Sequence, residues 1–358
     1  MSTDLFAHTI REAAAAGKPL CIRGGGSKDF YGQDLAGNVL DTRIHSGIVD
    51  YEPTELVITA RCGTPLSELE AALAGQRQMF AFEPPHFGAA TLGGVVAAGL
   101  AGPRRAAQGL YCGSVRDHVL GVKLMNGEGE ALAFGGTVMK NVAGYDVSRV
   151  IAGSLGTLGL ILEVSLKVLP RPVASRSLRL ALDEKSALAK LCEWGGQPLP
   201  ITASAWSEGE LTLRLEGAEA AVKSAAVKLG GEAVGVEEAL AFWHALREQS
   251  ASFFEGELPL WRLSLPSTAA PVALPGAQLI EWSGAQRWFR TGASPAEIRA
   301  AATQAGGHAT LFRAGSLGKE GVSVFTPLTP VLAGIQSNLK RAFDPRGLFN
   351  PGRLCREF

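Results

Sequence analysis

The 358-residue chain carries no net charge: 34 Lys and Arg stand against 34 Asp and Glu. A nucleic-acid reader needs a basic face to neutralise phosphates, and the longest basic cluster here is the pair Arg104-Arg105, so no nucleic-acid partner is expected. Cysteine is sparse and scattered at Cys21, Cys62, Cys112, Cys192 and Cys355, with no CxxC pair. That excludes a zinc knuckle or an iron–sulfur ligand set built from this chain, and reduced, mostly buried thiols are expected. The six histidines never fall close together, so no local metal-ligand pair is visible. The longest uncharged apolar stretch, 151–162, is interrupted by three glycines and falls short of the roughly 20 residues that span a bilayer. Residues 1–10 include Asp4 and lack an apolar signal core. These absences predict a cytoplasmic chain with no direct membrane span, reaching a membrane only through a partner. GxxxxGK[ST], GxSxG and HExxH are missing, and no glycine run has the GxGxxG spacing in a strand–helix setting with an acid downstream. P-loop, α/β-hydrolase, zincin and dinucleotide Rossmann chemistry are thereby set aside.

Glycine, by contrast, is abundant, with 44 in the chain. Length suggests roughly two or three domains. In the first half, strands alternate with helices. A helix capped by Thr3 or Asp4 runs to Ala16 and stops at Gly17 and Pro19. Thr64 and Pro65 open another, as N-cap and first helical residue. Residues 118–125 and 131–134 flank Asn126-Gly127-Glu128-Gly129, a hairpin signal, and 160–168 is a long apolar strand ending at Pro170-Arg171-Pro172. That proline pair marks the first boundary. Beyond it the pattern becomes a modest α+β layer, with paired strands across Glu208-Gly209 and helices at 184–194, 218–229 and 295–305. The expected division is 1–172, 173–328 and a segment 329–358 that returns to the first domain.

Four segments bear on function. In Arg23-Gly24-Gly25-Gly26-Ser27-Lys28, successive glycines let backbone N–H groups converge on an anion, with Ser27 as a further donor and Arg23 and Lys28 as cations. A flexible turn is the plainer reading. Thr91-Leu92-Gly93-Gly94, followed by Ala97-Ala98-Gly99 and Gly102-Pro103, offers small side chains over successive turns. These admit either a planar group or a packed backbone. Gly153-Ser154-Leu155-Gly156-Thr157-Leu158-Gly159 feeds the strand Leu160-Ile161-Leu162, and its exposed amides suit the polar edge of a ring or a plain buried turn. Asn350-Pro351-Gly352 alone is only a turn.

Together and in this order, these segments resemble the FAD-binding family of vanillyl-alcohol oxidase and para-cresol methylhydroxylase. Stretches 51–61, 99–105, 138–146, 306–310 and 348–353 resemble, within that family, the E-subunit branch of glycolate oxidase. The resemblance implies an α+β fold: a para-cresol-methylhydroxylase-type FAD-binding domain of two α/β subdomains, plus a smaller α+β cap domain. It assigns the diphosphate to the first loop, and the ribityl chain and isoalloxazine to Thr91, Leu92, Gly93, Gly94, Ala97, Ala98, Gly102, Gly156, Thr157, Gly159, Leu160 and Ile161, with Asn350 closing the site. The first loop has no His at its centre, so FAD should be held without a covalent bond. The implied role is in oxidising glycolate, a small 2-hydroxy acid, within a complex that also contains a related FAD subunit and an iron–sulfur subunit. Two departures bear on catalysis: Leu155 stands where an acid is common, and the cap offers only His308 in place of a histidine cluster. Catalytic residues are left unassigned. Arg104, Arg105 and Lys140 could attract a carboxylate or be interface cations. A supporting or electron-relaying subunit, a self-sufficient 2-hydroxy-acid dehydrogenase and a scaffold with a decayed flavin site all remain open. The reading requires Gly24–Gly26 and Gly156–Ile161 to lie beside one cleft.

Overall fold

The computed structural model describes residues 2–106, 113–137 and 146–355. Cys112, Lys140 and the stretch 138–145 lie outside the described residues. The chain begins with α1 (Ser2–Ala16), β1 (Leu20–Arg23), β2 (Asn38–Asp41), β3 (Ile48–Glu52), β4 (Val57–Arg61), α2 (Leu66–Gly75), β5 (Gln78–Met79) and α3 (Leu92–Ala98). There follow α4 (Val115–His118), β6 (Val119–Met125), β7 (Ala131–Gly135), α5 (Val147–Val150), β8 (Leu160–Lys167) and β9 (Leu169–Pro170). β1 and β2 pair in parallel, and an antiparallel sheet runs β3-β4-β8-β6-β7. β8 lies between β4 and β6 and is buried at six of its eight positions, which explains its nearly continuous apolar run. The β6–β7 hairpin turns where the glycine pair indicated. There Asn126 Oδ1 accepts from the backbone N–H groups of Glu128 and Glu130 at 3.0 and 2.9 Å. α2 starts one residue later than expected. Thr64 does not cap it, because its hydroxyl donates to the Arg61 carbonyl and accepts from Gly47 N–H.

The second half supplies β10 (Ala174–Ala181), α6 (Glu184–Gly195), β11 (Ile201–Ser207), β12 (Glu210–Gly217), α7 (Glu219–Leu229), β13 (Glu232–Val234) and α8 (Val236–Glu248). β14 (Leu260–Ser264), β15 (Ala277–Glu281), β16 (Gln286–Arg290), α9 (Pro295–Gln304) and β17 (His308–Arg313) complete it. These strands form one eight-stranded sheet in the order β13-β10-β12-β11-β15-β16-β14-β17, called the cap sheet below. α9 opens with a capping box between Ser294 and Glu297 and with Pro295 in its first turn, the signature expected of a helix start. α8 and β16 are not foreseen by the sequence reading. α8 buries only Trp243 and Leu246, too thin a stripe to register as periodic.

α10 (Pro330–Phe343) leads back to the first half. Leu20 N–H donates to the Leu348 carbonyl at 2.8 Å and Asn350 N–H to the Leu20 carbonyl at 2.9 Å. Leu348 and Phe349 pack into one apolar cluster with Phe6, Ile10, Leu20 and Leu160. The buried Lys340 ammonium binds Asp344 Oδ2 and the carbonyls of Thr157 and Phe349 at 2.7–2.9 Å. An interior cation this fully ligated is the kind burial tolerates.

Candidate functional site

β1 delivers the chain into Gly24-Gly25-Gly26. Just before it, Ile22 N–H donates to Asn350 Oδ1 at 2.7 Å, while Asn350 Nδ2 donates to the Leu155 carbonyl at 2.6 Å. One amide side chain thus ties the strand feeding the first glycine segment to the turn of the third. Gly156 sits against this clasp with φ +74°, and a Cβ there would lie 2.7 Å from Asn350 Nδ2. The second segment joins from the other side: Leu155 N–H donates to the Ala97 carbonyl at 2.8 Å and Gly153 N–H to Val96 at 3.0 Å. Ala98 packs beside Leu155 in a shared apolar cluster. Thr157 is wholly buried, its hydroxyl donating to the Ser154 carbonyl at 2.7 Å. Leu160 and Ile161 point their side chains into two separate cores, and a Cβ on Gly159 would press on Leu124 at 2.9 Å.

The first loop lies against residues 89–91. A Cβ on Gly25 would overlap the Ala89 carbonyl oxygen, and one on Gly24 would overlap Thr91 Oγ1. Gly93 meets Cys62, where a Cβ would come within 2.7 Å of the Cys62 Cβ, so Leu92 and Gly93 are packed onto the end of β4. Thr91 Oγ1 is buried and has no hydrogen-bond partner, a costly arrangement unless a ligand supplies the acceptor. Lys28 is buried too. Its Nζ donates to Ser27 Oγ at 3.2 Å and the His86 carbonyl at 3.3 Å, above the Phe87 ring. Burial pushes this ammonium down to about 8, with Glu248 opposing the shift. Arg23 is committed elsewhere, to Asp29 at 2.6 Å. An unpartnered hydroxyl, a poorly solvated cation and backbone stripped of Cβ atoms fit the anionic diphosphate of FAD. Beside the third segment a cleft of about 440 Å³ opens, lined by Gly153, Ser154 and Thr157 and by Gln336 and Leu339 of α10.

The seam between this half and the cap sheet is built differently. Arg214 of β12 forks onto Glu83 at 2.8 and 2.9 Å. Arg104 binds both Glu83 and Glu216, and Arg214 stacks on Trp243 with 5.0 Å to the ring centroid. Burial alone would raise the Glu83 carboxyl, but the Arg214 and Arg104 guanidiniums outweigh it and hold it down at about 2. Arg104 is therefore buried, its charge already matched by internal carboxylates, and Arg105 lies over the Trp282 ring. Gly102 is part of the same seam: its N–H donates to the Phe82 carbonyl at 2.9 Å and its carbonyl accepts from Trp282 Nε1 at 3.0 Å. Nearby, Phe87, Trp288 and Phe312 close around a cavity of only about 20 Å³, also lined by Gly102, Arg262 and Glu281.

Other sequence candidates fall away from the site. His308 begins β17 at an exposed position. Among the aromatics near the seam, Phe254 and Trp288 are core residues, and Phe253 packs against the same cluster. No group of three potential metal ligands occurs among the described residues. Sequence reasoning missed Glu83, Glu216 and Glu281. They come from distant parts of the chain, and no spacing links them; only the packing of the loop after β5 against the cap sheet brings them together.

Residues 2–149 match the FAD binding domain family. Over 97% of this chain and 96% of the relative, the sequence is 50% identical to glycolate oxidase subunit GlcE of Escherichia coli (strain K12). A more distant relative, glycolate oxidase subunit GlcD of Bacillus subtilis (strain 168), is 29% identical over 51% of this chain but only 38% of its own length. Among solved structures, alkyldihydroxyacetonephosphate synthase superposes with a TM-score of 0.66 over 97% of this chain and 75% of that one, at 15% identity; this shows a shared fold. The α+β architecture is thus that of the para-cresol-methylhydroxylase-type FAD-binding proteins.

Proposed function

The chain belongs to the family of glycolate oxidase subunit GlcE, and from that premise we propose that it is the FAD-binding subunit of a glycolate-oxidising complex, supporting the assembly or relaying electrons rather than carrying the main catalytic site. FAD is its cofactor, held without a covalent bond, and when bound it supplies two-electron redox chemistry. In this reading Gly24, Gly25, Gly26, Ser27, Lys28 and Thr91 hold the diphosphate. The backbone of the second and third segments lines the rest of the cofactor. The domain division is 1–172, 173–328 and 329–358, with the last segment completing the first. The partners are a related FAD subunit and an iron–sulfur subunit. The location is cytoplasmic, with membrane association only through the complex; no helix among the described residues is long and apolar enough to cross a membrane.

The observation that favours a supporting over a catalytic role is the internal pairing of the seam's cations. A cleft of about 660 Å³ opens at the seam, but the two arginines that line it, Arg104 and Arg214, are already paired with Glu216 and Glu83, so a substrate carboxylate would have to displace a buried partner. The test is the visible spectrum of the purified chain before and after anaerobic glycolate. We expect oxidised-flavin absorbance that glycolate alone leaves unchanged and that bleaches once the partner subunits are added. Bleaching of the isolated chain would establish a self-sufficient dehydrogenase. A colourless chain after FAD is supplied would establish a decayed site.

A further inference from the structure

The seam holds two interior carboxylates in opposite settings. Glu83 is clasped by two guanidiniums. Glu281, at the end of β15, is 3% exposed and forms no ion pair with any described residue. Its Oε2 accepts from Trp288 Nε1 at 2.7 Å and from Gln286 Nε2 at 3.1 Å. Both donors end on one oxygen, and Glu281 lines a cavity of about 20 Å³ together with Gln249, Arg247 and Arg262. That volume takes one water. Gln249 lines the same cavity, and its Oε1 is buried with no hydrogen-bond partner, so the residues around a water there include an unsatisfied acceptor and a carboxyl. Trp282, the next residue, donates to the Gly102 carbonyl at 3.0 Å. The carboxyl therefore stands one residue from the contact that joins the cap sheet to the second glycine segment.

We propose that Glu281, with one water held between it and Gln249, is a proton-exchange site in the domain seam, and that it gains or releases its proton as the charge on the bound flavin changes. The inference rests on the flavoprotein reading above. The step moves a proton only: the Glu281 carboxyl passes it to the water or takes it back, solvent is the ultimate source and sink, and no electron passes through the residue. The charged groups facing the site are Glu83 from the loop after β5, Arg247 from α8 and Arg262 from β14; Gln286 and Trp288 of β16 complete its surroundings. Burial pushes Glu281 up to about 7. The hydrogen bonds from Trp288 and Gln286 oppose that shift, and the Glu83 charge adds to it. Two carboxyls with protonation ranges pushed so far apart mark a division of labour, one a fixed charge and the other exchangeable. A subunit that relays electrons needs such compensation, because added charge in a low-dielectric seam is costly unless a proton follows.

Two measurements on the full chain test this. Infrared spectra of the FAD-free protein at pH 6 should contain a protonated-carboxyl band that disappears as pH rises past 8 and is missing from Glu281→Gln. A wild-type spectrum without the band overturns the proposal. Anaerobic photoreduction of the FAD-loaded protein in weak buffer with a pH indicator should show up to one more proton taken up per flavin by wild type than by E281Q above pH 7, and equal uptake below pH 6. Equal uptake at every pH overturns the coupling while leaving the flavoprotein reading intact. A protein that shows the carboxyl band but never acquires flavin absorbance overturns the flavoprotein reading and the coupling with it.

Discussion

The glycine cradle and the cap seam lie side by side and are stabilised by opposite means. In the cradle, side chains are missing where the backbone must come close: Gly24 and Gly25 leave no room for a Cβ, and Thr91 keeps a buried hydroxyl without a partner. In the seam, large side chains satisfy one another almost completely, through the Glu83–Arg104–Arg214–Glu216 quartet and the rings of Phe87, Trp288 and Phe312. The cradle leaves main chain and one hydroxyl without side-chain partners. The seam is already complete. Its charges are matched internally even where a cleft of about 660 Å³ opens beside them.

Substitutions should separate the two regions. The largest effect is expected from Glu83→Ala, which leaves Arg104 and Arg214 short of a buried counter-charge. Unfolding free energy should fall by about 3–5 kcal/mol, read from urea denaturation at pH 7, and a loss under 1 kcal/mol would mean that the quartet is not a lock. Next is the pH dependence of stability. The Glu281 carboxyl is raised in the folded state from the ordinary 4.5 to about 7. Its contribution is therefore complete below pH 4.5 and lost as pH climbs through 7, about 3 kcal/mol in all, and E281Q should abolish this slope. Glu83 has the opposite sign: lowered from 4.5 to about 2, it contributes above pH 4.5 and that contribution disappears as pH falls through 2.

In the cradle, Thr91→Val should weaken FAD binding by roughly 1.5–3 kcal/mol, about tenfold to a hundredfold. The FAD-free protein should be no less stable than wild type, because the change removes an unpartnered buried hydroxyl; thermal melts with and without FAD read both quantities. A destabilised apoprotein with unchanged affinity would show that Thr91 belongs to the scaffold. The smallest effect is expected at Gly75, the last residue of α2, where a Cβ meets nothing within 4 Å. Gly75→Ala should stabilise by about 0.5–1 kcal/mol without touching FAD affinity.

The contrast also explains what could be read in the sequence. Glycine is a local signal, because a backbone conformation or a close approach demands it at one position. The runs at 23–28, 91–94 and 153–159 therefore stand out before any contact is known, and so does the Asn126–Gly129 hairpin. Packing partners carry no such mark. Nothing near Glu83 announces Arg214, which is 131 residues away. Leu155 departs from the acid common at its position, and only the fold gives the replacement a setting, in an apolar cluster shared with cap residues Trp243 and Trp288. Arg104 reads first as a surface or interface cation, with anion binding as the alternative, until the cap sheet buries it. β16 and α8 escaped notice because their burial is set by neighbours rather than by a periodic stripe.

The Asn350 clasp has a consequence for biosynthesis. Its partner, Ile22, precedes it by 328 residues, so a ribosome adding about 5–20 residues per second needs on the order of half a minute between making one half of the clasp and the other. Until then the strand entering the triple glycine lacks the amide that ties it to the Gly156 turn, and the nascent chain has no finished pocket to fill. Whatever depends on the clasp therefore waits until residue 350 has been made, and a chain terminated before it would lack the tie between β1 and the Gly156 turn.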